Sequence, residues 1–315
     1  MAGFTVAANE HLIRSNLWSR QIKEVLEDEL FALRYVRMVM DFPDGDTLNI
    51  PSIGQAEVQD YDEGQAVKYS AMDTGNFTFT IDQYKQSGTY ITEKMKQDSF
   101  YMQELVSSFV PKQARAIMKA IEVRIFDRMS EGQDTTGDLN VINGADHRWV
   151  ASGTNEVLVP QDFAKARYGL QKANVSMTDL VAVLDPSCEY NLSTLTNLVN
   201  VSNNPRWEGV VRDGISTGMK FLFNIYGFDC YVSQNLPDAN ETIDSVTTAA
   251  GKANFFFSAS PDILNTVGLI RQPPKVDSEY NKDMQREEYV TTCRYGFKLF
   301  RPENLVVVLS DTDQV

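Results

Sequence analysis

From Asp44 to Thr92 the chain alternates apolar and polar residues without ever collecting enough apolar side chains to bury a sheet face. Leu48 and Ile50, Val67 and Tyr69, then Phe77, Phe79 and Ile81 fall at every second position, with Thr78 and Thr80 between the last three. A period of two puts one set of side chains on each face of a strand. Gly54, Gly64 and Gly75 interrupt the pattern among acids and turn formers. Residues 47 to 91 therefore read as a long, irregular β-excursion too polar to form a core alone. A chain of this kind must cover the excursion with some other surface.

Helical spacing flanks it on both sides. Between Leu17 and Val36 the apolar positions Trp18, Ile22, Val25, Leu26, Leu30 and Leu33 recur every three or four residues, which paints one stripe on an amphipathic helix. After Thr92 the helical period returns. Past Pro111, suited to the first turn of a helix, Ala114, Ile117, Met118, Ile121, Ile125 and Met129 form a continuous face. Lys112, Arg115, Lys119, Arg124 and Arg128 lie on the other faces and read as a solvated surface or as salt-bridge partners.

Farther on, residues 131 to 160 are rich in Gly, Asp, Asn and Thr, with an Asn143-Gly144 turn signal, and read as a loop or hairpin. A helix is expected near Gln161 to Asn174, a buried strand at Leu180 to Leu184 closed by Asp185-Pro186, and a second helix near Cys188 to Asn200. Paired strands around Gly227, a linker from Asp238 to Lys252 and a strand at Phe255 to Ser258 follow. The pattern closes with a short helix from Pro261 and strands near Tyr295 to Phe300 and Leu305 to Leu309. Helices and strands mix without regular βαβ alternation, which favours an α+β fold over a doubly wound sheet.

Composition narrows the function. The 315 residues carry 43 Asp plus Glu against 29 Lys plus Arg, a net charge of −14. That balance argues against gripping nucleic acid through a net basic surface, because phosphate binding depends on Lys and Arg displacing counterions. The charge is uneven: residues 51 to 100 hold eight acids and four bases, and 101 to 129 hold three acids and five bases. Met1 to Ser15 contains no basic leader followed by an apolar run, so no export or transit signal is read, and no stretch has the length and apolarity of a membrane span. Cys188, Cys230 and Cys293 are odd in number and widely spaced, which favours buried thiols over disulfides or a zinc knuckle.

No catalytic, cofactor or metal site is expected. Gly214-Ile215-Ser216-Thr217-Gly218 matches the G-x-S-x-G pattern of a hydrolase elbow, but that elbow needs a preceding apolar strand, a following helix and a later His. The two His residues, His11 and His147, both lie upstream, and His147 reads as a surface or satisfied polar residue. The same glycines lack the Gly-Lys-Ser/Thr of a phosphate loop. Asp134, Asp138 and Asp146 lack calcium-loop spacing and read as a solvated loop. An amphipathic arm and a β-excursion that cannot cover itself are instead features that find burial on another copy of the chain.

In order and spacing the segments resemble a tailed-bacteriophage major capsid protein of the Hong Kong 97-like fold. The resemblance runs through Leu17-Trp18-Ser19, GDTLNIPSIG (45–54), YDEGQAVKYSAMDT (61–74) and FTIDQYKQSGTYITEKMKQDSF (79–100). The long helix follows, then DLVAVLDPSCEYNLSTL, YGFDCYVSQNLP (226–237) and YGFKLFRPENLVVVL (295–309). It implies an N-terminal arm over 1–43, an extended loop over 44–92 that laps a neighbouring subunit, and a peripheral domain over 93–179 whose spine helix occupies 97 to 130. An axial domain over 180–268 and a C-terminal return over 269–315 complete the expected organisation.

By the same resemblance, copies form hexamers and pentamers of an icosahedral shell that encloses double-stranded DNA without reading its sequence, assembled in the host cytoplasm and ending in the virion capsid. A portal protein and a decoration or cement protein are the further partners. The arm's position directly after Met1 leads us to expect a separate scaffolding protein. Trp18, Ile22 and Leu26 in the arm and Val67, Tyr69, Phe77 and Phe79 in the loop are the expected assembly contacts. Lys68 and Lys85 lie in the loop, but no motif identifies an Asn or Glu partner, so the crosslink of some relatives is not carried over. An encapsulin-like bacterial compartment is the alternative within the fold, and a hydrolase using Ser216 a distant third.

Overall fold

The computed structural model describes residues 31–39, 47–53, 74–98, 102–133, 140–194, 221–248 and 251–312. After a 3-10 turn at Ala32–Tyr35 come strands β1 (Val36–Met38), β2 (Thr47–Ile53), β3 (Thr74–Thr80) and β4 (Gln83–Thr92), then helices α1 (Glu93–Asp98) and α2 (Met102–Glu131). Next are β5 (Arg148–Val150), α3 (Pro160–Lys172), β6 (Leu180–Leu184) and α4 (Pro186–Thr194). Strands β7 (Phe221–Ile225), β8 (Phe228–Val232), β9 (Thr242–Ile243), β10 (Val246–Thr247) and β11 (Gly251–Ser258) precede β12 (Thr266–Asn281), β13 (Arg286–Leu299) and β14 (Val306–Asp311).

Two larger sheets organise these elements. One has the order β5-β14-β11-β6-β8-β7, the other β1-β12-β13-β4, while among the described residues β2 and β3 pair only with each other. Strand β6 explains the layering of the first. Its five residues, LVAVL, are all buried, as a strand covered on both faces must be. Val181 and Val183 join the core on the α2 side with Phe255, Phe257, Val307 and Leu309. Leu180, Ala182 and Leu184 face the other way, into a cluster with Phe163, Ala166 and Leu170 of α3 and Cys188 and Leu192 of α4. Pro160 and Pro186 open those two helices, where a missing N–H costs nothing. Asp162 accepts from the Val159 and Ser152 amides at the start of α3, and Asp185 from the Ser187 amide at the start of α4.

Helix α2 joins the two sheets. Ile117, Met118, Ile121, Ile125, Phe126 and Met129 lie in one core with Val276, Cys293, Tyr295, Phe297 and Leu299 of the β12–β13 hairpin and with the α2 face of the six-stranded sheet. The Phe126 and Phe255 rings stack with centroids 5.7 Å apart. Strand β13 alternates between this core and the opposite face, so its burial has a period of two along most of its length.

Several expectations need revision. The long helix runs through Pro111 instead of starting there, and so gives up one backbone hydrogen bond in its interior. No helix starts at Pro261; a turn does, in which the Asp262 carbonyl accepts from Arg301 and the Ile263 carbonyl from Asn304. The Asp238–Lys252 linker contains the β9–β10 pair and runs into β11. The stretch 269–315 divides between the sheets: β12 and β13 pair with each other between β1 and β4, whereas β14 lies between β5 and β11. Residues 131 to 160 hold the expected tight turn, an Ile142–Ala145 bridge, and also supply the edge strand β5, parallel to β14.

Candidate functional site

The β2–β3 ribbon is the element that the sequence could not cover, and the structure roots it on three sides. Phe79 is 0% exposed and forms a small core with Ile81 and Leu269, joined by Val39 and Phe77. Phe79, expected to meet a neighbouring subunit, thus has its ring enclosed by its own chain. Phe77 is partly buried, edge-on to Phe300 at 4.9 Å, with the Lys298 ammonium 4.7 Å from its ring centre. Lys298 also donates to the Thr78 carbonyl at 2.7 Å. Beside them Gly296 lies so close that a Cβ there would stand 3.0 Å from both Ile81 Cα and the Thr80 carbonyl oxygen.

The third side is ionic. Ile81 and Asp82 form the break between β3, in the ribbon, and β4, in the four-stranded sheet. Asp82 accepts from Arg124 at 2.6 Å and from Arg128 at 2.5 Å, both on α2, and Arg128 also donates to Glu131 at 2.7 Å. Burial alone would raise the Asp82 carboxyl; hydrogen bonds from Arg124, Arg128 and Gln83 outweigh it and hold the group below its usual value. Arg124 and Arg128, read as part of a basic face, are thus salt-bridge partners. Asp82, Gly296 and Lys298 were not singled out from sequence. The one available signal was the i, i+4 spacing of the two arginines on a single helix face.

Beyond the root, among the described residues, neither outer edge of the ribbon is paired, and β4 is likewise an edge of its sheet. Tyr84 and Tyr90 on β4 are 61% and 58% exposed. A two-stranded ribbon is marginal in water on its own, and an open ten-residue edge invites pairing with another chain. Trp18, Ile22, Leu26, Val67 and Tyr69 lie outside the described residues, as does the Ser216 motif.

The groups considered for chemistry are occupied structurally. The three cysteines are free and buried, and burial pushes the Cys188 and Cys293 thiols up to about 11 and Cys230 upward as well. His147 is fully buried rather than on the surface, with Nδ1 hydrogen-bonded to the Ala145 carbonyl at 3.0 Å. Asp146 pairs with Lys165 at 2.9 Å. Among the described residues no group of acids, His and Cys could hold a metal ion, and no helix is long and apolar enough to cross a membrane.

Comparison with known structures defines the class. The fold matches the capsid structure of the cyanophage P-SCSP1u with a TM-score of 0.65 and 13% identity, covering 87% of this chain and 86% of that one. The mature capsid of bacteriophage PhiM1 matches with a TM-score of 0.65 and 14% identity, covering 90% and 88%. A virus-like particle from Pyrococcus furiosus matches with a TM-score of 0.54 and 12% identity, covering 94% and 99%. This is the α+β fold of a capsid subunit, and the encapsulin-like alternative is the less supported of the two. The chain belongs to the phage capsid protein family, whose model matches residues 76–308, and it is a major capsid protein that assembles with other copies of itself in the virion capsid. A search of curated proteins finds no match.

Proposed function

We propose that the arm of residues 1–43 and the extended loop of residues 44–92, which contains the β2–β3 ribbon, hold one subunit to the next in the hexamers and pentamers of an icosahedral shell around double-stranded DNA. The observation that carries this reading is the ribbon, paired among the described residues only with itself yet rooted by a buried Phe79, an ion-paired Asp82 and a close-packed Gly296. A rigid root under a ribbon whose outer edges are unpaired among the described residues suits a part that finds its burial on another copy. Trp18, Ile22, Leu26, Val67, Tyr69 and Phe77 remain the proposed contacts, with Phe79 assigned to the root. The six-stranded sheet with α3 and α4 fits the role of an axial domain. The β1-β12-β13-β4 sheet with the spine helix α2 fits that of a peripheral domain.

A separate scaffolding protein directs assembly in this reading, made in the host cytoplasm, and a portal protein and a decoration or cement protein complete the particle. The acidic balance of −14 suits a container that encloses DNA without binding it tightly. The role is structural, and the Ser216 motif has no part in it. Negative-stain microscopy after co-expression with a candidate scaffold tests the reading. Uniform shells are expected; a stable monomer under every condition would overturn it, and uniform shells from the chain alone would remove the scaffold.

A further inference from the structure

Asp82 occupies an unusual position: it is one of the two residues between β3 of the ribbon and β4 of the four-stranded sheet, and two arginines of one helix converge on it. We infer that Asp82 is the positioning residue that sets the direction of the β2–β3 ribbon relative to the spine helix α2. Three observations carry the inference. The strand ladder breaks at Ile81 and Asp82, so no backbone hydrogen bonding is shared between β3 and β4 across that point to fix the angle. A cleft of about 500 Å³, lined by Ile81, Asp82, Gln83, Tyr84, Gln272 and Arg294, opens at the same break, which leaves space beside it. On the α2 side Arg124 and Arg128 bind the carboxylate at 2.6 and 2.5 Å.

Charge-assisted bonds of this kind are directional and stronger than neutral ones, so a single carboxylate receiving two guanidinium groups defines both a distance and an angle. The Nε atoms of both arginines are buried with no hydrogen-bond partner among the described residues. The guanidinium groups are therefore partly desolvated, and withdrawing Asp82 leaves them with less compensation. The Phe79 and Ile81 core keeps the ribbon attached; Asp82 fixes which way it leaves. Its consequence for shells rests on the proposal that the ribbon holds a second copy, since a ribbon aimed wrongly would miss it.

Hydrogen exchange on the unassembled 315-residue chain separates the two ideas. In Asp82→Asn, amides of β2 and β3 are expected to exchange about tenfold faster, while those of β6, β11 and the Ile117–Met129 part of α2 keep their wild-type protection. Asp82→Glu, which keeps the carboxylate, should restore most of the protection. Equal ribbon exchange in wild type and Asp82→Asn would overturn the inference whatever happens to assembly. Should Asp82→Asn fail to fold, Arg128→Gln, which leaves Arg124 on Asp82, carries the same test with a smaller expected increase. Microscopy of the same variant with scaffold then reads the consequence: faster ribbon exchange with unaltered shells would leave Asp82 as the pin and sink the ribbon's role between subunits.

Discussion

Phe79 and His147 show how burial decides what a residue can do. Phe77 and Phe79 share one face of β3 by simple alternation, yet Phe79 is enclosed by its own chain while Phe77 remains partly open. Nothing in the alternation distinguishes them, because the enclosing partner Leu269 lies far along the sequence. Removing a buried ring leaves a cavity as well as losing transfer energy, so Phe79→Ala should cost about 3 kcal/mol or more in urea denaturation of the unassembled chain. A loss below about 1 kcal/mol would show that the root is not packed as described. His147 offers a second test. Burial lowers its folded pKa, partly offset by the hydrogen bond to Ala145, whereas the unfolded chain keeps a value near 6.5. The unfolded state thus takes up the proton first as pH falls, so the stabilisation is complete above about 6.5 and declines toward the folded value. Stability measured from pH 7 down to pH 5 should fall more steeply in wild type than in His147→Asn; parallel slopes would remove His147 as the cause.

At the scale of elements, the best-read pieces were those whose burial is local and continuous. Leu180–Leu184 is legible as a strand because both its faces are apolar, and α3 as a helix near Gln161 to Asn174, although its opening at Pro160 is seen only in the structure. Of the β12–β13 hairpin only the end near Tyr295 to Leu299 is legible in the sequence; charged and polar residues alternate along the rest, and only its pairing with β4 and its packing on α2 explain the buried half. Edge strand β5 was also hidden in a polar segment. It is tied down by Arg148, whose fully buried side chain donates to Glu241 at 2.9 and 2.6 Å and to the Ser130 carbonyl at 3.4 Å. One side chain therefore links the sheet edge, the end of α2 and the segment before β9. Losing one partner of such a pair leaves an uncompensated buried charge, so Arg148→Met should destabilise the chain by about 3 kcal/mol. Arg148→Met combined with Glu241→Gln should lose less than the sum of the two single changes; strict additivity would mean the pair is not coupled.

For the whole molecule, the net charge of −14 sets how copies meet. Like-charged subunits repel over distances comparable with the screening length, about 10 Å at 0.1 M salt, while apolar contacts are insensitive to screening. Light scattering should therefore show assembly at lower subunit concentration as salt rises from about 50 to 300 mM. The opposite trend would mean that oppositely charged surfaces dominate the interface. The sequence by itself determined the mixed α+β class, the uncovered excursion, the long helix and the absence of a readable catalytic constellation, because each depends on local period or residue type. Only the tertiary structure decided that Phe79 faces inward, that β14 leaves its neighbours β12 and β13 for the other sheet, and that Arg124 and Arg128 hold Asp82 at the ribbon's root. Those facts depend on partners brought together from distant parts of the chain, and alternation along a strand carries no information about what will lie across from it.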